Sequence, residues 1–105
     1  MSDFEQGVAD KSYSLALRII KLYQYLKDEK KEFVLSKQVL RSGTSIGAQV
    51  REAKFAQSRA DFISKLSIAL KEANETLYWL ELLHDSGYIT TKSREALQND
   101  FNPNH

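Results

Sequence analysis

The fold is predicted mainly from one stretch near the middle of the chain, residues 35–53, LSKQVLRSGTSIGAQVREA. Its apolar and small residues recur at intervals of three and four, which is the period of one face of an α-helix. Ser36 is a suitable N-cap for this helix, because its hydroxyl can accept a hydrogen bond from a free backbone N–H. The predicted buried face consists of Leu35, Val39, Gly43, Ile46, Val50 and Ala53.

Residues 42–48 of this stretch contain two glycines and have little side-chain bulk. Each glycine in a helix interior costs about 1 kcal/mol relative to alanine, so we expect close approach of a neighbouring backbone to offset that cost. A glycine-rich loop that binds phosphate is the alternative. Such a loop requires a strand before it and a lysine at its end, and neither stands in the required place. The sequence therefore favours close helix packing.

Helices of similar pattern precede and follow this stretch. The first is predicted from about Asp10 to Lys27, and the third from an N-cap at Ser58 to a C-terminal glycine at Gly87. A short, weakly apolar fourth helix is expected over roughly residues 91–101, and the short connections make successive helices antiparallel. The predicted buried residues of the first helix are Leu15, Ile19, Leu22 and Leu26, flanked by Ala16, Ile20 and Tyr23. Those of the third helix are Phe62, Leu66, Ala69, Ala73, Leu77 and Leu80, flanked by Ile63 and Leu70.

The composition fits a single all-α domain over residues 1–105. Four Gly and one Pro leave few turns for an all-β fold, and the absence of Cys excludes disulfides, thiolate metal sites and thiol nucleophiles. The polar, acidic start is not a signal peptide, and the chain has no apolar run of the roughly 18 residues that would cross a membrane. We therefore expect a cytoplasmic protein with no membrane partner.

A second apolar seam is predicted on the third helix, away from its main buried stripe. Its members are spaced by 7, 4 and 3 residues, as in a helix that packs against a partner. Large apolar patches are rare on monomers, and Trp and Tyr are enriched at interfaces. We therefore expect self-association, with scattered surface residues as the alternative. The candidate interface residues are Ile68, Glu75, Tyr78, Trp79 and Leu82.

Charge is unevenly distributed along the chain, although the total is only +1. Residues 37–71 carry seven basic and two acidic groups, whereas residues 72–105 carry two basic and six acidic groups. The basic groups of the second helix lie opposite its buried face, and Phe55 could stack on a base. The basic face has three interpretations: it binds nucleic-acid phosphates, it docks on the acidic end of another subunit, or it contacts only solvent. The candidate phosphate contacts are Lys37, Arg41, Arg51, Lys54 and Arg59.

A polar row on the second helix contains Ser45, Gln49 and Glu52. We interpret this row as specifying the geometry of packing, because no pocket is implied in which a carboxylate pair could act as acid and base. If Glu52 and Glu75 are buried they need donors, and Arg51 or Lys71 could supply them.

Metal and enzyme chemistry lack the residues they need. Glu81 and His84 have the Glu-x-x-His spacing of di-iron bundles, but a second such motif is missing, because the other histidine is His105. No strained turn presents a serine to His84 as a nucleophile. We therefore expect no enzyme activity, no cofactor and no metal.

Residues 38–53, QVLRSGTSIGAQVREA, resemble the signature of the four-helix bundle family encoded in intervening sequences of bacterial 23S rRNA genes. The stretches SRADF at residues 58–62, KLSIALKEANE at residues 65–75 and YWLELL at residues 78–83 resemble its third helix. Residues 10–26 resemble its first helix. The likeness covers roughly residues 10–90 and includes several consecutive small and polar residues.

The resemblance implies an up-down-up-down antiparallel four-helix bundle that assembles as a ring-like homopentamer. It also implies kinship with the accessory variability determinant of diversity-generating retroelements, a basic pentamer that binds nucleic acid and a reverse transcriptase. Two features, one position and one segment, depart from the family pattern. Gln49 stands where the family has Asn, and the segment after residue 90 is shorter and more polar than the family's leucine-rich fourth helix. If the fourth helix is truncated, we expect side chains of neighbouring subunits to complete the packing of the bundle.

Two hypotheses follow from these patterns. The first is a non-enzymatic helical assembly protein, a homo-oligomer and by resemblance a pentamer, whose basic surface binds RNA or DNA with little sequence preference. A reverse transcriptase is a further partner that the resemblance implies. The second is a protein-interaction module whose charges serve only the docking of subunits.

Overall fold

The computed structural model describes residues 2–101 and places four α-helices and no strand within them. The helices are α1 (Asp3–Asp28), α2 (Leu35–Lys54), α3 (Arg59–Asp85) and α4 (Thr91–Asn99). α2 packs along both α1 and α3, and α4 packs on α3. The prediction of an all-α, antiparallel four-helix bundle with a short fourth helix is confirmed.

The predicted start of the first helix is wrong by seven residues. α1 begins at Asp3 rather than Asp10, because the Ser2 hydroxyl caps it by accepting a hydrogen bond from the N–H of Glu5 at 3.1 Å. Gly7 lies inside this first part of α1. A single glycine costs only about 1 kcal/mol, which the cap and the added helical turns offset.

The predicted cap of the second helix is also wrong. Ser36 is fully buried inside α2, and its hydroxyl donates to the carbonyl oxygen of Glu32 at 2.8 Å. The Glu32 carboxylate caps the helix instead, because it accepts hydrogen bonds from the N–H groups of Ser36 at 2.7 Å and Val34 at 3.1 Å. A glutamate outside the helix thus satisfies the free donors that the sequence analysis assigned to a serine.

Both predicted ends of the third helix are confirmed. The Ser58 hydroxyl accepts from the N–H of Asp61 at 3.0 Å. At the other end Gly87 has a φ of 87°, the left-handed conformation that glycine adopts without steric cost. The N–H of Tyr88 then donates to the carbonyl oxygen of Leu83 at 2.8 Å, which satisfies one of the last carbonyls of α3. Gly87 therefore turns the chain from α3 toward α4.

The glycines of α2 lie where α1 approaches. A Cβ added to Gly43 would lie 2.8 Å from Cγ1 of Ile19, and one added to Gly47 would lie 3.4 Å from the carbonyl oxygen of Ser12. A real Cβ does not tolerate the first distance. The prediction that close helix packing explains the two glycines is confirmed.

The core lies toward the α4 end of the bundle. α1, α2 and α3 each supply fully or nearly fully buried aliphatic residues, and Leu97 of α4 joins them. On α3 the most buried residues are Ala69, Thr76, Leu80 and Leu83, so the buried face is rotated from the predicted stripe. Because of this rotation Ile63 and Leu70, which were predicted to flank the stripe, are exposed. The Thr76 hydroxyl lies 2.8 Å from that of Ser42, and this buried polar contact ties α3 to α2. The core residues are Leu15, Ile19, Leu22, Leu26, Val39, Ile46, Leu80, Leu83, Ile89 and Leu97.

Polar contacts attach α4 to α3. Nε2 of His84 lies 2.9 Å from Oγ1 of Thr91, and the side-chain amide of Gln98 donates to the Glu81 carboxylate at 2.6 Å. The Glu81-x-x-His84 pair thus contacts α4, while His105 lies outside the described residues. At the end of α4, Arg18 of α1 donates to the Asp100 carboxylate at 2.9 Å.

Candidate functional site

The candidate phosphate-contacting residues are all exposed, but they divide into two groups. Lys37 and Arg41 lie in the first half of α2. Arg51, Lys54 and Arg59 surround the connection from α2 to α3 at one end of the molecule. We call Arg51, Lys54, Phe55 and Arg59 the basic turn cluster.

Arg41 already has two acidic partners on α3. Its Nη1 lies 3.2 Å from Oε2 of Glu72, and its Nη2 bonds the carboxylate of Glu75. Two carboxylates around one guanidinium leave the local charge negative, which disfavours an approaching phosphate. The donor for Glu75 is therefore Arg41 rather than Arg51 or Lys71, the donors that the sequence suggested.

The basic turn cluster keeps its cations free. Among residues 2–101, no ion pair involves Arg51, Lys54 or Arg59. Phe55 is 72% exposed, and Nζ of Lys54 lies 5.7 Å from the centroid of its ring, within the range of a cation–π contact. An exposed ring among free cations is the combination that proteins use to bind single-stranded nucleic acid.

A shallow groove between α1 and α2 leads to this cluster. It has a volume of about 340 Å³, and its lining includes the small residues Ala9, Gly47 and Ala48. Arg51 and Lys54 stand on the α2 side, and the exposed Tyr13 stands on the α1 side. The groove therefore places a second aromatic ring across from two of the free cations.

The predicted seam on α3 is half-buried rather than free. Trp79 packs against the core cluster, so its placement on the far side of α3 is wrong in part. The physical reason is the rotation of the buried face toward Thr76 and Leu83, which brings Trp79 to its edge. Tyr78 is 58% exposed, and its ring centroid lies 5.3 Å from that of Trp79. The seam residues of intermediate exposure are Ile68, Glu75, Trp79 and Leu82.

The polar row does not form a network between helices within residues 2–101. The Ser45 hydroxyl donates to the carbonyl oxygen of Arg41 at 2.6 Å, one turn earlier in the same helix. Gln49 is half-buried, and its Oε1 has no hydrogen-bond partner among the described residues. Glu52 is exposed, so it does not need the donor that burial would require.

An exposed apolar row on α1 was not predicted from the sequence. Tyr13, Leu17 and Ile20 point away from the core, although Ile20 was predicted to flank the buried stripe. Their spacing of four and three residues is the signal that could have found them. Phe4 was missed because the predicted helix began after it, and it is the most exposed of the large apolar residues of the described chain.

Similarity to known proteins extends the resemblance seen in the sequence. The family model for the 23S rRNA-intervening sequence protein matches residues 5–103. The chain belongs to the 23S rRNA-intervening sequence protein family. No curated protein sequence matches the chain.

A crystal structure of a related protein has the same fold as this member of the 23S rRNA-intervening sequence protein family. It is the 1.70 Å crystal structure of a protein with unknown function from the S23 ribosomal protein family of Bacteroides thetaiotaomicron. The two proteins are 64% identical, with a TM-score of 0.91, over 91% of this chain and 86% of the relative. None of the helices in residues 2–101 combines the length and the hydropathy that crossing a bilayer requires.

Proposed function

We propose that this chain is a non-enzymatic assembly protein that forms a homo-oligomer, a pentamer, and binds RNA or DNA with little sequence preference. The basic turn cluster is the observation that carries nucleic-acid binding. Its cations are free of ion pairs within the described residues, whereas Arg41 is held by Glu72 and Glu75. The proposed contact surface is therefore centred on Arg51, Lys54 and Arg59, and Lys37, in the first turn of α2, is a separate proposed contact.

Electrostatics explains why such a surface would tolerate many sequences. Each cation that neutralises a phosphate releases condensed counterions, and this gain does not depend on the base. Stacking of a base on Phe55 would add about 1–3 kcal/mol and is also tolerant of sequence. Oligomerisation would repeat the cluster on every subunit, which raises the avidity for a long strand.

Self-association is supported by the apolar surface that one copy leaves exposed. Tyr78 extends the half-buried seam on α3, and Tyr13 and Leu17 form part of the exposed row on α1. Contiguous apolar residues of this kind mark interaction surfaces more often than solvent-facing ones. A reverse transcriptase stays a proposed partner by family resemblance.

Fluorescence anisotropy with a labelled RNA of mixed sequence tests the nucleic-acid contact. Reversing both charges with Arg51→Glu and Arg59→Glu should weaken binding at least tenfold and reduce the slope of log Kd against log salt by about one per lost phosphate contact. Lys92→Glu is the matched control, because Lys92 is an exposed cation on α4, away from the cluster. Equal binding by the wild type and the double variant would contradict the proposal.

Light scattering tests the assembly. The wild type should have the mass of several subunits at micromolar concentration, and five is the number that the family resemblance favours. A particle with the mass of one chain over the whole concentration range would refute the assembly. RNA binding is measured separately, so either half of the proposal can fail alone.

The contacts of Arg41 favour a second candidate function, a protein-interaction module without nucleic acid. At this position a cation of the basic row serves helix packing and not phosphate binding. If the other cations serve docking in the same way, reversing Arg51 and Arg59 would lower the particle mass. The wild type would then show no salt-dependent binding of RNA, and this result separates the two candidates.

A further inference from the structure

The shallow groove between α1 and α2 has two chemically different walls. The α2 wall carries Arg51 and Lys54, which are three residues apart and therefore lie on one side of the helix. The α1 wall carries Asp10 and Tyr13, which are also three residues apart. These four are the charged and aromatic residues that line the groove. One wall is therefore cationic, and the other offers an aromatic ring and a hydrogen-bond acceptor.

Small side chains keep the space between the two walls open. Ala9 and Ala16 of α1 and Gly47 and Ala48 of α2 line it. A Cβ added to Gly47 would lie 3.4 Å from the carbonyl oxygen of Ser12, so the two helices are in contact at this point. A cavity of about 150 Å³ accommodates a benzene ring, so a groove of about 340 Å³ has room for a flat nucleobase.

The groove is long enough for several nucleotides. Its α1 wall extends from Gln6 to Ala16, which is about 15 Å along the helix. Stacked bases of one strand are about 3.4 Å apart, so about four nucleotides fit along this length. At the end of the α2 wall, Lys54 is followed directly by Phe55. A strand in the groove would therefore continue onto the basic turn cluster.

The Asp10 carboxylate makes the α1 wall suitable for bases and unsuitable for phosphates. It accepts a hydrogen bond from the side-chain amide of Gln6 at 2.9 Å, and a carboxylate has lone pairs for further donors. Adenine, cytosine and guanine each present an exocyclic amino group that donates. A phosphate, by contrast, would be repelled by the carboxylate and attracted to Arg51 and Lys54 on the other wall.

A single strand has the same asymmetry as the groove, and a duplex does not. In a single strand the phosphates follow one side, and the faces and edges of the unpaired bases are free on the other. In a duplex the bases are stacked and paired, so freeing one of them costs energy. Duplex RNA presents mainly phosphates and 2′-hydroxyl groups, which leave the ring of Tyr13 without a base to stack on.

We propose that the groove between α1 and α2 binds unpaired nucleotides, with the phosphates along Arg51 and Lys54 and the bases against Tyr13 and Asp10. This site deepens the proposed nucleic-acid binding and rests on it, and it makes single-stranded RNA the preferred ligand over a duplex of the same sequence. Stacking on Tyr13 tolerates every base, and three of the four bases carry an amino group for Asp10, so sequence preference stays small.

A comparison of strands tests the preference. Fluorescence anisotropy is measured with a mixed-sequence RNA of about 12 nucleotides, alone and annealed to its complement. The wild type should bind the single strand at least fivefold more tightly, although the duplex carries more charge. Equal or tighter binding of the duplex would overturn the groove site but not the proposed nucleic-acid binding. Binding of neither RNA would overturn both.

Filling the groove separates its contribution from that of the basic turn cluster. Ala48→Met places a longer, uncharged side chain in the groove, and Ala96→Met adds the same atoms to an exposed alanine on α4. Ala48→Met should weaken binding of the single strand at least fivefold and leave binding of the duplex unchanged. Ala96→Met should change neither. Unchanged single-strand binding by Ala48→Met would overturn the groove as a nucleotide site.

Tyr13 is the member of the exposed row on α1 that also lines the groove, whereas Leu17 and Ile20 lie outside it. Tyr13→Ala should therefore weaken single-strand binding at least fivefold and keep the wild-type particle mass in light scattering. Tyr13→Phe should bind like the wild type, and so should Tyr25→Ala, which removes an exposed ring farther along α1. A loss of mass in Tyr13→Ala would assign the ring to a subunit contact and overturn its role in the groove.

A comparison of two pyrimidines tests the base side of the groove. Cytosine has an amino group where uracil has a carbonyl oxygen, so the wild type should bind oligocytidine at least twofold more tightly than oligouridine. Asp10→Ala should abolish this ratio, even though removing a negative charge strengthens binding of both RNAs. Asp28→Ala, which removes an exposed carboxylate at the other end of α1, should keep the ratio. Equal binding of the two RNAs by the wild type would overturn the placement of bases against Asp10.

Discussion

The two ends of the bundle are built from the same helices but are packed to different degrees. At the end where α4 lies, Leu26, Leu80 and Leu83 are completely buried. At the other end α1, α2 and α3 are the only helices of residues 2–101 that meet, and Phe4 and Leu70 keep most of their surface exposed. We call these the closed end and the open end.

The difference shows that an apolar stripe specifies which face of a helix is buried, but not which element covers it. The stripe of α1 continues from Leu26 down to Phe4 at helical spacing. α4 covers one end of this stripe, and nothing in the described residues covers the other. We infer that packing at the closed end is the main source of the stability of a single copy.

Leu80→Ala at the closed end should produce the largest loss of stability. The side chain is completely buried in the core, and its removal leaves a cavity, so we expect the free energy of unfolding to fall by about 2–5 kcal/mol. Urea denaturation at a concentration that keeps the oligomeric state constant measures the change.

Leu70→Ala at the open end is the control for this substitution, since it removes the same atoms from an exposed position. We expect a loss below about 0.5 kcal/mol in the monomer. Equal losses for Leu80→Ala and Leu70→Ala would contradict the distinction between the two ends.

Gly43→Ala should give the next largest loss of stability. It should destabilise the protein although alanine has a higher helix propensity than glycine. Alanine favours the helix by about 1 kcal/mol. Its Cβ, however, would lie 2.8 Å from Cγ1 of Ile19, which is completely buried and stiff because it is β-branched. Overpacking of this kind costs about 1–3 kcal/mol, so thermal unfolding should show a net loss.

Gly7→Ala is the matched control at the open end of α1. Nothing lies within 4 Å of the added Cβ, so the variant should gain about 0.5–1 kcal/mol from propensity alone. A stabilised Gly43→Ala would mean that α1 and α2 can move apart at no cost.

The features that local chemistry determines were predictable from the sequence. The periodicity of residues 35–53 predicted the buried face of α2, and the two glycines predicted the close approach of α1. Gly87 and Ser58 marked the ends of α3 correctly. The start of α2 was missed because the capping group is the Glu32 carboxylate, four residues before Ser36.

The candidate site was less predictable, because it depends on contacts between helices. The basic row was correctly predicted to be exposed. The division of the basic row into a paired Arg41 and the free cations of the basic turn cluster was not predicted, since the distance between Arg41 and Glu75 depends on the register of α2 against α3. The partial burial of Trp79 was missed for the same reason, because the rotation of α3 about its axis is set by the packing of Thr76 against Ser42.

Arg41→Met should cost about 1 kcal/mol or less, and it tests how much the pairing of α2 with α3 depends on charge. The guanidinium is about half exposed, so solvent screens its attraction to Glu72 and Glu75. A double-mutant cycle with Glu75→Gln isolates the ion pair from the lost packing. A coupling energy of zero would indicate that the pair contributes nothing to the stability of the helix contact.

Lys31→Gly should give the smallest effect and the opposite sign. Lys31 lies in the loop between α1 and α2 at the closed end, and its φ of 55° is a left-handed conformation that costs a side-chain-bearing residue about 1–2 kcal/mol. Glycine removes this cost but adds entropy to the unfolded chain, so we expect a net gain of about 0.5 kcal/mol in thermal unfolding. Lys30→Gly, one residue earlier and without a positive φ, removes the same charge and should be destabilising. If Lys31→Gly destabilises the protein as much as Lys30→Gly does, contacts of the lysine side chain outweigh the backbone strain.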